Sequence, residues 1–119
     1  MLDPELLGNL VTAWWADIPE SDAVLELADR YLVERLSNSS WYRLTKAGEE
    51  ELVKHTIAER LAAVVSLVEK GYSNYLLLQE LFKLLPKKHF VVYLIHDDDG
   101  IRCLANEAFY ERGLKYEED

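Results

Sequence analysis

The apolar stretch at residues 75–85 constrains the fold of this 119-residue chain more than any other feature of its sequence. Tyr, Leu and Phe side chains occur there on nearly every side of the predicted helix, and Pro86 ends it. A helix of this kind has almost no face suited to water, so the rest of the chain or a partner must cover most of it. Ser73 or Asn74 provides its start. The other elements are therefore expected to pack around this helix.

Helical spacing of apolar residues predicts three further helices in the first seventy residues. Each begins at a side chain that can accept a hydrogen bond from a free amide of the first turn. The predicted starts and stops are Asp3-Pro4 and Ile18-Pro19 for the first helix, Ser21 or Asp22 and about Leu32 for the second, and Thr45 and Lys70-Gly71 for a long third helix. Residues 41–44 are expected to form a short strand.

A strand, a hairpin and a short helix are expected after Pro86. The continuous apolar run at residues 90–95 predicts a strand covered on both faces. Asp99 followed by Gly100 favours a hairpin turn, in which Gly100 takes a positive φ angle. Asn106 is then expected to cap the last helix. The predicted class is therefore α+β and helix-rich, with about four helices and small antiparallel strand pairs in a single domain, residues 1–119.

The net charge of −9 is unevenly placed along the chain. Residues 1–29 contain seven acids and no base, whereas residues 30–46 contain four bases and only Glu34 as an acid. A nucleic-acid surface needs positive side chains to replace the counterions condensed on the phosphates, so the overall charge disfavours this class of partner. The candidate nucleic-acid contacts are the four local bases, Arg30, Arg35, Arg43 and Lys46.

The cysteine content and the hydropathy pattern bear on the compartment. A single cysteine, Cys103, excludes an internal disulfide and fits a reducing compartment. No apolar stretch reaches the roughly 20 residues that a membrane helix needs, and no secretory signal pattern begins the chain. The sequence therefore predicts a cytoplasmic protein without a membrane partner.

Catalytic and metal-binding patterns are absent from the sequence. Its three histidines, at positions 55, 89 and 96, are not spaced as metal ligands, and the acids at 97–99 lack the alternating ligands of a calcium loop. No base is placed beside Cys103, so a small buried thiol in a strand is expected. The five glycines are scattered rather than gathered in a phosphate-binding loop. We therefore expect no catalytic residues, no metal and no cofactor.

Residues 27–53 carry a family resemblance. The matching residues are Leu32, Val33, Glu34, Arg35, Tyr42, Leu44, Thr45, Gly48 and Leu52. Their order is similar to the second half of a winged-helix module, in which one strand leads into the wing and another returns into the next helix. The resemblance implies a winged-helix-like first half and offers a DNA-binding transcription regulator as an alternative function. The chain departs from the family at the predicted second helix, where Asp22, Glu26 and Asp29 would face the phosphates.

Residues 89–116 carry a second resemblance. The matching residues are Asp97, Gly100, Ile101, Asn106, Ala108 and Phe109. Their order resembles the opening strand, hairpin and helix of a PAS domain. This resemblance implies a regulatory lineage, with sub-regions at residues 1–86 and 89–119. It also offers the alternative that the chain is a fragment of a larger PAS-containing signalling protein.

Two groups of apolar residues are predicted to meet a partner. Trp14 and Trp15 point about 100° apart on a helix, so one ring is expected in the core and the other on a partner. The helices at 49–70 and 73–85 present more apolar surface than one chain should need to cover, which predicts a homodimer. Its seam is expected to contain Leu61, Val65, Val68, Leu78 and Phe82.

These expectations combine into one functional hypothesis. The chain is expected to be a small, acidic, non-enzymatic regulatory or protein-interaction module that forms a homodimer and binds a protein partner. A winged-helix DNA-binding regulator and a fragment of a PAS-containing protein are the alternatives.

Overall fold

Seven helices and one three-stranded sheet make up the part of the chain that the computed structural model describes, residues 2–72 and 74–115. In chain order the elements are α1 (Pro4–Trp15), β1 (Ile18–Pro19), α2 (Asp22–Asp29), β2 (Val33–Arg35), β3 (Trp41–Leu44), α3 (Lys46–Val53), α4 (Ile57–Glu69), α5 (Tyr75–Phe82), a 3-10 turn (Lys87–His89), α6 (Val91–Leu94) and α7 (Asp99–Glu111). The predicted α+β, helix-rich class is confirmed, although there are more helices than expected. Ser73, one of the two predicted starts of the apolar helix, and residues 116–119 lie outside the described residues.

The first three helix starts lie where the sequence predicts them. Asp3, Ser21 and Thr45 cap α1, α2 and α3, and each side chain accepts a hydrogen bond from the backbone amide three residues later, at 2.9, 3.2 and 3.0 Å respectively. Pro4 occupies the first turn of α1, where its missing N–H costs nothing. The expected strand at residues 41–44 is also confirmed, as β3.

The sheet is antiparallel with the strand order β1-β3-β2. Tyr42 lies at its centre, opposite Ile18 on one side and Arg35 on the other. The ring of Tyr42 is buried, and its hydroxyl donates a hydrogen bond of 2.9 Å to Glu20. The expected interruption of α1 at Ile18 and Pro19 is therefore also a strand, with the proline on an edge where no amide is needed.

The first turn of α3 lies against the backbone just before β2. A Cβ atom at Gly48 would approach the carbonyl oxygen of Leu32 to 2.2 Å, closer than any real contact, so only glycine fits. The Thr45 hydroxyl donates to the carbonyl of Tyr31 at 2.7 Å while it also caps α3. This close packing at Gly48 joins the hairpin to the helices that follow.

The predicted long third helix is wrong, because residues 54–56 divide it into α3 and α4. Thr56 caps α4 with a reciprocal pair of hydrogen bonds. Its hydroxyl accepts from the Glu59 amide at 3.1 Å, and the Glu59 carboxylate accepts from the Thr56 amide at 3.0 Å. The break frees amides that a continuous helix would bond internally, and this capping pair satisfies two of them.

Helix α4 connects the beginning and the end of the fold, since it packs along α1 and against α5. Gly8 allows the approach to α1, because a Cβ there would lie 2.8 Å from a Leu67 methyl group and 2.9 Å from the Ala63 carbonyl oxygen. One apolar core, containing residues from Leu2 to Phe109, runs through both halves. Its members on α5 are Leu77, Leu78, Leu81 and Phe82, while Leu76 is exposed. The apolar helix is therefore covered on most sides, as predicted.

The predicted strand at residues 90–95 is wrong, because the segment contains the short helix α6 and directly follows the 3-10 turn. Phe90 is only 1% exposed and its ring lies between those of Phe82 and Phe109, with centroids 5.8 and 5.4 Å away. Burial then recurs at Tyr93 and Leu94, the three- and four-residue spacing of a helix. Tertiary packing around one aromatic ring outweighs the strand preference of the run.

The predicted hairpin at Asp99 and Gly100 is also wrong, since both residues belong to the first turn of α7. Asp98 caps this helix by accepting from the Ile101 amide at 2.9 Å. Gly100 has no positive φ angle and instead makes room for the ring of Tyr75, 2.5 Å from an added Cβ. Acids suit the first turn of a helix, which is why this acidic run starts one instead of a hairpin.

The prediction that Asn106 caps the last helix is wrong, because Asn106 lies inside α7. Its side-chain amide donates to the Arg102 carbonyl at 2.8 Å and to the Leu94 carbonyl at 3.3 Å, which ties the end of α6 to α7. At the other end of α7, Arg112 donates to the carbonyls of Phe82 and Leu85 at 2.9 and 2.6 Å. Both side chains use their donors to hold the last helices together.

Candidate interaction surface

Five of the seven predicted interaction residues are buried in the core of the single chain. They are Leu61, Val65, Val68, Leu78 and Phe82. Helices α1, α5 and α7 supply the cover that the sequence analysis had assigned to a second subunit. These five side chains are therefore core residues, and the seam expected at residues 49–85 is not available on the surface at these positions.

Trp14 and Trp15 both lie on the surface, 48% and 43% exposed. The expectation that one of them packs in the core is wrong, because the buried stripe of α1 ends at Ala13 and its last turn extends beyond the core. Trp41, at the start of β3, is exposed to a similar degree. The first half of the chain thus presents three indole rings, a residue type that is enriched at protein interfaces.

The four predicted nucleic-acid contacts do not form one patch. The register pairs Arg35 with Tyr42 and Glu34 with Arg43, and side chains of directly opposed residues share a face. Successive residues of a strand point to opposite faces, so Arg35 and Arg43 lie on different faces of the hairpin. Lys46 is exposed at the first turn of α3.

Two of these bases are also paired with acids. Arg43 lies 2.7 Å from Glu34 and Arg30 lies 3.0 Å from Glu26, and all four side chains are largely exposed. Such pairs contribute little to stability in water. They do reduce the positive potential that phosphates would meet on this surface.

The histidines and the cysteine do not assemble into a reactive site. No three metal-binding side chains come together within residues 2–72 and 74–115. His55 is enclosed between Glu51 and Glu59, at 3.6 and 3.7 Å, and His96 lies 3.9 Å from Glu69. Cys103 lies exposed on α7, so the buried thiol expected in a strand is wrong on both counts.

A groove crosses the outer face of α4 and consists of two adjoining cavities of about 370 and 360 Å³. Glu59 and Ala62 line both cavities, so the two adjoin along the helix. The first cavity lies between α4 and the start of α1, and its other lining residues are Leu2, Pro4, Leu7, His55, Ala63 and Ser66. We call the two cavities together the α4 groove.

The second cavity of the α4 groove lies between α4 and the segment that replaces the predicted strand. Ala58 and Ala62 form its floor, while Lys88, His89, Val91, Val92 and Tyr93 form its wall. Val91 and Val92 are 47% and 58% exposed, although they belong to an apolar run. Burial raises the pKa of the Tyr93 hydroxyl above its usual value, and the nearby Glu69 carboxylate adds to this rise. The Tyr93 hydroxyl is therefore uncharged at neutral pH, and the two valines make most of this wall apolar.

Glu59 is the carboxylate at the centre of the α4 groove. The Thr56 amide that donates to it, and then the Thr56 hydroxyl, hold the pKa of Glu59 below its ordinary value, with a smaller contribution from His55. Glu59 is therefore a fixed negative charge at neutral pH. A carboxylate with a lowered pKa is poorly suited to general acid–base catalysis.

Charge differs between the two halves of the described chain. Residues 2–56 contain eleven acids and five bases, whereas residues 57–115 contain eight of each. The α4 groove belongs to the balanced half, with only residues 2, 4, 7 and 55 contributed by the acidic one.

Sequence reasoning missed the wall of the α4 groove. Val91 and Val92 were assigned to a strand covered on both faces, and Ala58 and Ala62 fall within the single long third helix that was predicted. The one available signal was the capping pattern at Thr56 and Glu59, which ends α3 and sets the register of α4.

Among the described residues, none of the helices is both long and apolar enough to cross a membrane. Comparison of the chain with protein-family models, curated proteins and solved structures finds no significant match.

Proposed function

We propose that this chain is a small, acidic, non-enzymatic protein-interaction module of a regulatory kind, which acts as a homodimer. The observation that carries this proposal is the amount of large apolar surface left in water. Fourteen large apolar side chains are exposed among the described residues, seven of them aromatic. Scattered exposed apolar residues are normal, but aromatic rings beside continuous apolar surface are typical of protein interfaces.

The chemistry of the α4 groove supports a binding role over a catalytic one. Its carboxylate, Glu59, already accepts hydrogen bonds within its own helix and stays ionised. Its imidazole, His55, lies between two carboxylates of the same helical region. These groups are engaged in capping and pairing, and an apolar floor and wall surround them.

The winged-helix resemblance supports a regulatory role, and the strand order β1-β3-β2 with α2 between β1 and β2 is compatible with it. The exposed bases of the β2–β3 hairpin favour DNA binding as a second candidate function. The acids of α2 oppose it, because Asp22, Glu26 and Asp29 are exposed on the helix beside that hairpin. Protein binding is therefore the function that we favour.

A salt titration separates the two candidates. Fluorescence anisotropy with a random labelled duplex should show weak binding and a shallow dependence on salt, because few phosphates can be neutralised. Tight binding at about 0.15 M salt that is lost in the Arg35→Ala/Arg43→Ala variant would establish the DNA-binding alternative. Equal behaviour of the variant and the wild type supports our proposal.

Capture experiments test the protein-binding role directly. Immobilised wild-type protein should retain a partner from an extract of its native host, and the Trp14→Ser/Trp15→Ser variant should retain much less of it. Tyr110→Ser is the matched control, because Tyr110 is an exposed aromatic residue on α7, which makes no extensive contact with α1. Equal retention by the wild type and both variants would contradict a role for the tryptophans.

A further inference from the structure

Val91 and Val92 occupy an environment that does not suit them. Both are β-branched residues in a helix of only four residues, where their side chains lose rotamer freedom. They are half in water, and Ile95, which follows them, is exposed as well. A single chain gains little by keeping these three side chains together on its surface. The arrangement becomes favourable when a second surface covers them.

The floor beside them is shaped to receive such side chains. Ala58 and Ala62 lie one turn apart on α4 and leave the second cavity, of about 360 Å³, next to the two valines. Small residues on the floor and branched residues on the wall are complementary in shape. The wall and the floor of one chain line an open cavity, so the wall of a second molecule can enter it.

Charge favours the second half of the chain as the place where two copies meet. Two copies of a chain with net charge −9 repel each other, and the repulsion is strongest between their acidic first halves. The half that contains α4, α6 and α7 is balanced, so a copy can approach there with the least repulsion. Lys88 and Glu59 both line the second cavity, so this surface carries one charge of each sign and is complementary to a second copy of itself.

We propose that two copies associate about a two-fold axis through the second cavity of the α4 groove. In such a contact each patch meets itself, so a residue on the wall of one copy meets a residue on the floor of the other. Val91 and Val92 of one copy then cover Ala58 and Ala62 of the second copy. Lys88 of one copy faces Glu59 of the second copy, and the same pair forms again on the other side of the axis.

This inference rests on the proposed homodimer and names its surface, which differs from the seam expected from the sequence. Sedimentation velocity over about 1 to 300 μM, where weak pairs form, should show a monomer–dimer equilibrium for the wild type. Val92→Asp should raise the dissociation constant at least about 100-fold, because it places a buried charge opposite an apolar floor. Leu76→Asp, on the exposed face of α5, is the control that should leave the constant unchanged.

A charge exchange gives a test that a folding defect cannot imitate. Lys88→Glu and Glu59→Lys should each weaken self-association, since each places like charges opposite one another at both ends of the contact. An equimolar mixture of the two variants should associate again, because a mixed dimer contains Glu–Lys pairs at both ends. Circular dichroism of each variant verifies that Glu59→Lys still folds without its capping bond.

The outcomes separate this inference from the proposed function. A wild type that stays monomeric throughout the range overturns both the two-fold contact and the homodimer, while partner capture through the tryptophans can still stand. A dimer that Val92→Asp leaves intact, or a variant mixture that does not associate, overturns the contact alone. A dimer that is lost in Val92→Asp and restored in the variant mixture establishes it.

Discussion

Residues 2–56 and residues 57–115 differ in how closely they follow their own sequence signals. In the first part the caps at Asp3, Ser21 and Thr45 and the strand β3 all lie where the sequence places them. In the second part a strong strand signal at residues 90–95 became a helix, and a hairpin signal became a helix start. The two parts share α4, so the difference does not come from separate folding environments.

The difference shows which kind of sequence signal is dependable. A cap is a local device in which one side chain satisfies a nearby amide, and distant residues hardly affect it. An apolar run indicates only that a segment is buried. The elements that pack against it determine whether it forms a strand or a helix. Around Phe90 those partners are aromatic rings from α5 and α7, which surround one side chain of the run rather than every second one.

The largest predicted effect tests the helical register of residues 90–95. In a strand, Phe90 and Val92 would share a face, whereas in the observed helix the first is buried and the second is exposed. Phe90→Ala should lower the free energy of unfolding by about 3–5 kcal/mol, and Val92→Ala by less than about 0.5 kcal/mol. Urea denaturation at a protein concentration that keeps the chain monomeric measures both. Similar losses for the two variants would contradict the helix.

The next effect tests the close contact that joins the hairpin to α3 in the first part of the chain. Gly48→Ala places a methyl group 2.2 Å from the Leu32 carbonyl oxygen, a rigid backbone atom. We expect a loss of about 1–3 kcal/mol in stability, although alanine favours a helix more than glycine does. Glu50→Ala, exposed on the same helix, is the control that should change little. A stabilised Gly48→Ala variant would mean that α3 does not lie against the strand.

A smaller effect, of opposite sign, tests the end of α2. Tyr31 is exposed and has a φ angle of 62°, a conformation that costs most residues about 1–2 kcal/mol. Tyr31→Gly should therefore stabilise the protein by about 0.5–1 kcal/mol after the entropy of glycine in the unfolded chain is counted. Tyr110→Gly, in the last turn of α7, should instead destabilise it. Thermal unfolding of the two variants measures the contrast, and a shift in the same direction for both would oppose it.

The smallest effect is a pH dependence that originates at the start of α4. The Thr56 amide lowers the pKa of Glu59 in the folded state, so folding favours the ionised carboxylate. This contribution to stability is complete above the unfolded pKa of Glu59 and is lost as the pH falls through the lower folded value. The stability difference between wild type and Glu59→Gln should therefore be largest near neutral pH and shrink in acid. A difference that grows in acid would refute the lowered pKa.

Local sequence signals were enough to predict part of the fold. Caps, spacing and turn residues predict the fold class, the strand β3, the helices α1, α2 and α5, and the start of α3. The break between α3 and α4 was open to prediction, since Thr56 and Glu59 form a capping pattern in the sequence. Asp98 as the cap of α7 was open to prediction on the same grounds.

The α4 groove was beyond prediction because it depends on long-range packing. Its wall exists only because Phe90 turns inward between two rings and leaves Val91 and Val92 outside. Its floor is visible only when residues 54–56 end the preceding helix and set the direction of α4. Similarly, the exposure of both Trp14 and Trp15 depends on where the core ends beneath α1, which spacing alone does not determine.

The location of the tryptophans gives the molecule a built-in optical label. All three tryptophans of the chain, Trp14, Trp15 and Trp41, lie in the acidic half and are about half exposed. Their emission in the folded protein should already resemble that of indole in water, so it should shift little when the chain unfolds. A partner that covers these rings should shift the emission to the blue. Self-association through the α4 groove, which is lined by no tryptophan, should leave the emission spectrum unchanged. Tryptophan fluorescence can therefore distinguish partner binding at the indole rings from self-association.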